Sequence, residues 1–327
     1  MLPAKLPEVR DENGQEIDVK LKTFNKKQEI EKNMKSYLEC ISCFFKQALE
    51  AGRMAGADDK TQKRILDEVA GTVPSIKLSS TPPEMGKTIH DIVKKITGQK
   101  DPYKKLKRKA TEQTLKIYPE LRKKVDSSND KLLMAVELAI AGNIIDYGTK
   151  NSIDVEKELA RILQKEQRVI EKENASIFDF NSFEKTLSDA KSILYIGDNV
   201  GETVFDSILL EQIKKTDKHK EIVYVVREKP IINDALKEDA IEAGIDNFAE
   251  IISSGSEVPG TIVTLCSKLF INIFEKSDMV ISKGQGNYET LSDEKRPIFF
   301  LFMAKCPVIA RHVGCEVGEI VLVNNHN

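Results

Sequence analysis

Two periodicities divide the chain. From residue 29 to about 167, apolar side chains recur every three or four residues. Leu38, Ile41, Phe45 and Leu49 line one face, and Leu132, Leu133, Val136, Ala139, Ile140, Ile144 and Ile145 form a wide stripe over 130–147. This spacing predicts amphipathic helices, and Gly142 in the stripe permits close packing of a neighbour. Val155, Leu159, Ile162 and Leu163 predict one more helix, while Pro74, Pro82, Pro83, Pro102 and Pro119 read as breaks. After about residue 176 the pattern changes to short, continuous apolar runs at 192–197, 221–226, 248–253, 278–282, 297–303 and 319–323. Helical patterns at 204–213, 233–243 and 260–270 separate several of them. Strands apolar on both faces that alternate with helices predict a buried, mostly parallel sheet. The chain therefore reads as α/β: a Rossmann-like region over 176–327, an α-helical region before it over 31–175, and a charged, weakly periodic extension over 1–30.

Composition narrows the class. The 327 residues carry 50 Lys and Arg against 52 Asp and Glu, a net charge of −2, which argues against a dedicated nucleic-acid binder. The basic stretch 101–126 reads as the solvated face of a helix. No apolar run approaches the roughly 18–20 residues that span a bilayer, and the N-terminus lacks the apolar core of a signal peptide. Five Cys in a long chain rich in Lys and Glu make a disulfide framework improbable and predict a reducing, cytoplasmic setting.

In an open parallel sheet, ligands bind beyond the carboxyl ends of the strands, and the polar clusters fall there. GDNVGE at 197–202 follows the first run. Asp198 and Asn199 offer hard oxygen ligands, Gly201 stands where a helix begins, and Glu202 serves equally as base, ligand or helix N-terminal charge. An Asx turn and helix cap explain the same residues without a ligand. RxxPxxND at 227–234 follows the second run: Asn233 suits a helix N-cap, and Asp234 either favours the first turn or points back at the cation of Asp198. KGQGNYE at 283–289 follows the fourth run. Lys283 adds a positive charge, and Gly284 and Gly286 around Gln285 permit close backbone approach to a phosphate, with Asn287 next in line; the order of Gly and Lys is not that of a Walker loop. Lys305, beyond 297–303, either meets solvent or completes an anion site.

These segments, in this order, together with the FLFMAKCPV segment within 299–308, resemble the metal-dependent damage-control phosphatases, long catalogued as domain of unknown function eighty-nine. The likeness extends upstream to CISC at 40–43, QALEA at 47–51, DPY at 101–103 and AGNIIDYG at 141–148, and covers residues 36–325. The Cys40-x-x-Cys43 pair is similar to that of the archaeal and bacterial branch. The resemblance implies a three-layer α/β/α domain, a divalent metal (Mn, Co, Ni or Mg) on Asp198, Asn199 and Asp234, and a phosphate contact at Lys305 and, less directly, Lys283. Glu202, Asn233, Gly284, Gln285, Gly286 and Asn287 are the other candidates for touching substrate. It also implies hydrolysis of phosphate monoesters of small metabolites, such as sugar phosphates or damaged phosphometabolites, by metal-activated water. Asp198, Asp234 and Lys305 are then the catalytic residues. A covalent aspartyl-phosphate on Asp198 is disfavoured because Val200 stands where a second Asp would be required.

Other residues invite over-reading. Cys40 and Cys43 supply only two of the four ligands that a zinc site needs, so buried structural thiols are the plainer account. Asn143 and Asp146 either cap the cleft or form a buried hydrogen-bonded pair. The four His show no ligand spacing. Two other functions remain open from sequence: an S-adenosylmethionine-dependent carboxyl methyltransferase, and a metabolite-binding module without turnover.

Overall fold

The computed structural model describes residues 34–142 and 177–326; the expected extension over 1–30, the helix expected around Val155, and Asn143 and Asp146 lie outside the described residues. Residues Lys32–Asn327 fall in one compact unit. Six strands, β1 (Ser192–Ile196), β2 (Glu221–Val226), β3 (Glu250–Ser253), β4 (Met279–Lys283), β5 (Phe299–Met303) and β6 (Ile320–Asn324), form one sheet in the order β3-β2-β1-β4-β5-β6. All neighbours are parallel except β6, which runs against β5 with Leu301 opposite Leu322. The apolar runs place the strands because both sheet faces are covered. Side chains alternate along each strand, so Ile193 and Tyr195 enter one core while Leu194 and Ile196 enter the other.

Helices α1 (Leu38–Met54), α2 (Asp59–Thr72) and α3 (Pro82–Thr97) cover one face with Phe44, Ala48, Ile65, Val69, Ile89 and Val93. Helices α4 (Lys104–Ser127), α5 (Lys131–Ala141), α6 (Phe180–Asp189) and α7 (Glu202–Thr216) build the other core. The result is a three-layer α/β/α arrangement in which the helices before residue 142 serve both faces. Gly142 permits the contact expected of it, since a Cβ there would meet the Phe205 ring at 2.8 Å.

Three local expectations change. Pro119 lies inside α4 rather than ending it. An interior proline costs about 3 kcal/mol, and burial of Leu121 and Val125 in the shared core offsets it. The helix expected over 233–243 shrinks to α8 (Lys237–Glu242), because the backbone of 233–235 pairs with 198–200 instead. Asn233 is thus not an N-cap. The helix expected over 260–270 is a short 3-10 turn at Val263–Leu265, followed by α9 (Lys268–Lys276), which starts where Ser267 Oγ accepts the Phe270 N–H at 3.2 Å. Helices α10 (Gln285–Leu291) and α11 (Pro307–Val313) complete the described set. Among the described residues, no helix is long and apolar enough to cross a membrane.

On α3, His90 is buried edge-on against Tyr103, and its Nε2 finds no hydrogen-bond partner among the described residues. Burial, helped by the Lys94 charge, pushes the imidazole down to about 4. A depressed His pKa means that the unfolded chain takes up the proton first, so stability falls as pH drops from about 6.5 toward 4, by about 3 kcal/mol in all. His90→Leu should remove this acid-side loss. Urea midpoints of parent and variant, compared at pH 7 and pH 4.5, should diverge in favour of the variant at the lower pH.

Candidate active site

The strand order reverses between β1 and β4, where the chain, having run outward through β2 and β3, returns to the other side of β1. At such a switch point the connections leave in opposite directions and open a crevice at the carboxyl ends of the strands. The turns after β1, β2, β4 and β5 meet there. Val200 N–H donates to Asn233 O at 2.9 Å and Ala235 N–H to Asp198 O at 2.8 Å, which fixes Asp198 and Asn199 beside Asp234 by backbone alone. The loop before Asp234 is strained: Ile232, a β-branched residue, holds a φ of 45°. Lys94 braces it from α3 by donating to Pro230 O at 2.6 Å.

The carboxylates are crowded. Asn199 Nδ2 donates to Asp198 Oδ2 at 2.8 Å and to Glu202 Oε1 at 2.7 Å. Burial, together with the Glu202 and Asp234 charges, pushes the Asp198 carboxyl well above the usual carboxylate range, while Lys305 and Arg227 pull it down. Burial also raises Asp234, against the nearby Arg227. Arg227 donates Nε to Asp234 Oδ2 at 2.7 Å, and its other nitrogens reach Thr261 Oγ1 and Asn287 Oδ1, both at 2.9 Å.

Beneath this layer Asp206 is buried and accepts from Tyr195 Oη at 2.7 Å, Tyr224 Oη at 2.8 Å and Lys283 Nζ at 2.8 Å. Burial opposes the Lys283 charge, but Asp206 and Glu202 hold its pKa above the ordinary lysine value.

Several expected substrate contacts have other work. Lys283 is the last residue of β4, fully buried, with its ammonium on Asp206 and Glu202. Asn287 is buried; its Nδ2 donates to Lys283 O and Gly197 O, and its Oδ1 accepts from Arg227 and Thr261, so the amide is spent on holding three turns together. Gly284, at φ 82°, brings the backbone close to Asp198, whose carboxylate fills the space that a Cβ would take. Gly286 O abuts Gly260 in the same way. Gln285 is tied to Glu289 and to the Lys305 backbone. Lys305 itself is exposed, and its charge reaches Asp198.

Asn233 contributes its backbone carbonyl to the crevice wall. Cys40 is buried as expected, whereas Cys43 is exposed, and both are free thiols. Among the described residues, no group of three or more His, Cys, Asp or Glu side chains is gathered as a metal cluster.

Three residues of the site escaped sequence reasoning: Arg227, Lys107 and the buried Asp206. Arg227 was quoted only as part of a motif, yet it is the buried partner of Asp234. Lys107 lies in the stretch read as solvated surface, but it is buried against Asp101 at 2.8 Å and its charge lowers the Asp234 pKa. A basic helix gives no sign in sequence of which lysine turns inward; the nearby DPY segment was the available clue.

A family model described as the damage-control phosphatase ARMT1-like domain matches residues 36–321. The chain belongs to this family. An uncharacterized protein of Methanocaldococcus jannaschii is 37% identical over 87% of the chain and 94% of its own length. A damage-control phosphatase of Pyrococcus horikoshii is 34% identical over 89% of the chain and 99% of its own length, and one of Archaeoglobus fulgidus is 33% identical over 86% and 96%. The crystal structure of a Pyrococcus horikoshii protein of the same domain-eighty-nine family superposes with a TM-score of 0.79, at 33% identity, over 90% of the chain and all of that structure.

Family membership gives Gly284 a sharp test. Gly284→Ala forces a Cβ into the Asp198 carboxylate at a φ that L-residues avoid. We expect a loss of about 2 kcal/mol or more in urea unfolding, with activity falling alongside because Asp198 must move.

Proposed function

We propose that this chain hydrolyses phosphate monoesters of small metabolites, sugar phosphates or damaged phosphometabolites among them, in a reaction that depends on a divalent metal. The observation that carries the reading is the placement of Asp198, Asn199 and Asp234 side by side at the switch point, with the Lys305 charge reaching Asp198 from the opposite turn.

The residues fit a hard cation. Four buried carboxylates, Asp198, Glu202, Asp206 and Asp234, share two buried cations in direct contact with them, Arg227 and Lys283, with Lys107 and Lys305 acting from farther off. Burial first, then the Glu202 and Asp234 charges, raise Asp198, against Lys305 and Arg227. Asp198, Asn199 and Asp234 present the oxygen donors that Mg²⁺ or Mn²⁺ prefers, and Co²⁺ or Ni²⁺ also accepts. A bound divalent ion supplies a Lewis acid for a phosphoryl oxygen and lowers the pKa of a water that attacks phosphorus.

The chain's own residues do the rest. Arg227 holds Asp234 in one orientation through its Nε. Asn199 spaces Asp198 from Glu202. Lys305 offsets charge that builds on the phosphoryl oxygens. The test is release of inorganic phosphate from a sugar-phosphate panel and p-nitrophenyl phosphate, with Mn²⁺, Co²⁺, Ni²⁺, Mg²⁺ or EDTA. Release that requires metal and stops with EDTA supports the reading. Release indifferent to EDTA, or methyl transfer from S-adenosylmethionine without phosphate release, overturns it.

A further inference from the structure

We propose that Gln285 is a positioning residue: it sets where Lys305 stands relative to Asp198. This inference rests on the reading of Lys305 as the phosphoryl-binding cation. Lys305 sits between two anchored points. On one side Ala304 is fixed by its N–H to Glu319 O at 3.0 Å and by Gly318 N–H to its own carbonyl at 2.7 Å; on the other, Cys306 is the N-cap of α11. The Lys305 N–H bridges to another element altogether and donates to Gln285 Oε1 at 2.8 Å.

The other end of the same amide is engaged too. Gln285 Nε2 donates to the buried Glu289 Oε1 at 2.9 Å and reaches Cys306 Sγ at 3.6 Å. One planar amide therefore joins the turn after β4 to the turn after β5. That first turn also carries Gly284, whose missing Cβ admits the Asp198 carboxylate. Residue 284 thus leaves room for the Asp198 carboxylate, and residue 285 holds the Lys305 backbone through its side chain.

Glutamine suits the task because it offers an acceptor and two donors in one plane. A glutamate loses the donors that face Glu289 and Cys306, and a methionine of the same length loses everything. A lysine side chain has four rotatable bonds, so its backbone must be fixed before its ammonium can be placed. Misplacing a charged group by about 1 Å costs up to 10²-fold in rate.

A double-mutant cycle tests the coupling, using kcat/KM for p-nitrophenyl phosphate and inhibition by inorganic phosphate. Lys305→Met alone should lower kcat/KM by about 10²-fold. Gln285→Met alone should lower it about tenfold and weaken phosphate inhibition by a similar factor, with unchanged metal dependence. In the Lys305→Met background, Gln285→Met should change kcat/KM by less than about twofold, since the group it positions is gone. Gln285→Ala, which leaves room for water, repeats the cycle if the methionine variant does not fold. Equal effects of Gln285→Met in both backgrounds, or no effect in either, would overturn the positioning role while leaving Lys305 intact. A Lys305→Met protein with undiminished rate and phosphate inhibition would remove the Lys305 reading itself, and the positioning role with it.

Discussion

Asp198→Ala is expected to lower metal-dependent phosphate release by at least about 10³-fold in kcat/KM, while the metal-free protein melts no lower than its parent. The two halves of this expectation have one cause. Asp198 is buried beside Glu202 and Asp234, and its carboxyl is pushed far up by burial and by those charges. An acid raised in the folded state is one the fold would prefer neutral. Its contribution is present at low pH and is lost as pH rises from the unfolded carboxylate value near 4 through the folded value. Removing it therefore flattens the decline in melting temperature between acid and neutral pH, measured in EDTA. Asp234→Ala should abolish activity equally but behave oppositely in stability, because it strands the buried Arg227 guanidinium. Leaving one member of a buried pair costs about 3–5 kcal/mol. If Asp198→Ala were as damaging to stability as Asp234→Ala, the picture of an under-neutralised Asp198 would be wrong.

How far the sequence carried the fold depended on which patterns survive a shift of one residue. Runs such as 192–197 and 278–282 are apolar on both faces, so the sheet could be read without knowing their ends. The function of the residue at each end could not. Lys283 was taken as the first residue of a glycine-rich loop, and the structure makes it the last residue of β4. Successive side chains on a strand point to opposite faces, so that single position decides between a crevice and a core. Asn233 failed for a different reason. A helix N-cap and a short antiparallel bridge both favour Asn and Asp, and only the long-range pairing of 233–235 with 198–200 separates them. Lys107 and Asp206 were invisible because inward-facing charges on helices look like any others until their partners are known.

Lys283→Met carries as large an expected effect on stability as Asp234→Ala and separates two accounts of the same residue. As a phosphate ligand, Lys283 would be replaced at a cost to substrate affinity and little to the fold. Its place in the structure says otherwise. The side chain is fully buried, its ammonium lies 2.8 Å from Asp206 Oδ1 and 3.4 Å from Glu202 Oε2, and Asp206 also accepts from both Tyr195 and Tyr224. Methionine, one atom shorter and uncharged, leaves Asp206 as a buried carboxylate without its cation. The expected loss is about 3–5 kcal/mol in urea unfolding, enough to bring an ordinary domain close to its limit. Asp206→Asn added to Lys283→Met removes the stranded charge while the amide oxygen still accepts one tyrosine hydroxyl. The double variant should therefore be more stable than Lys283→Met alone, the non-additivity that direct partners show. Inhibition by inorganic phosphate, measured on whatever fraction remains folded, should stay within about twofold of the parent if, as proposed, the cation that meets phosphate is Lys305 on the opposite turn. A Lys283→Met protein that folds normally and loses phosphate inhibition would return Lys283 to the anion site.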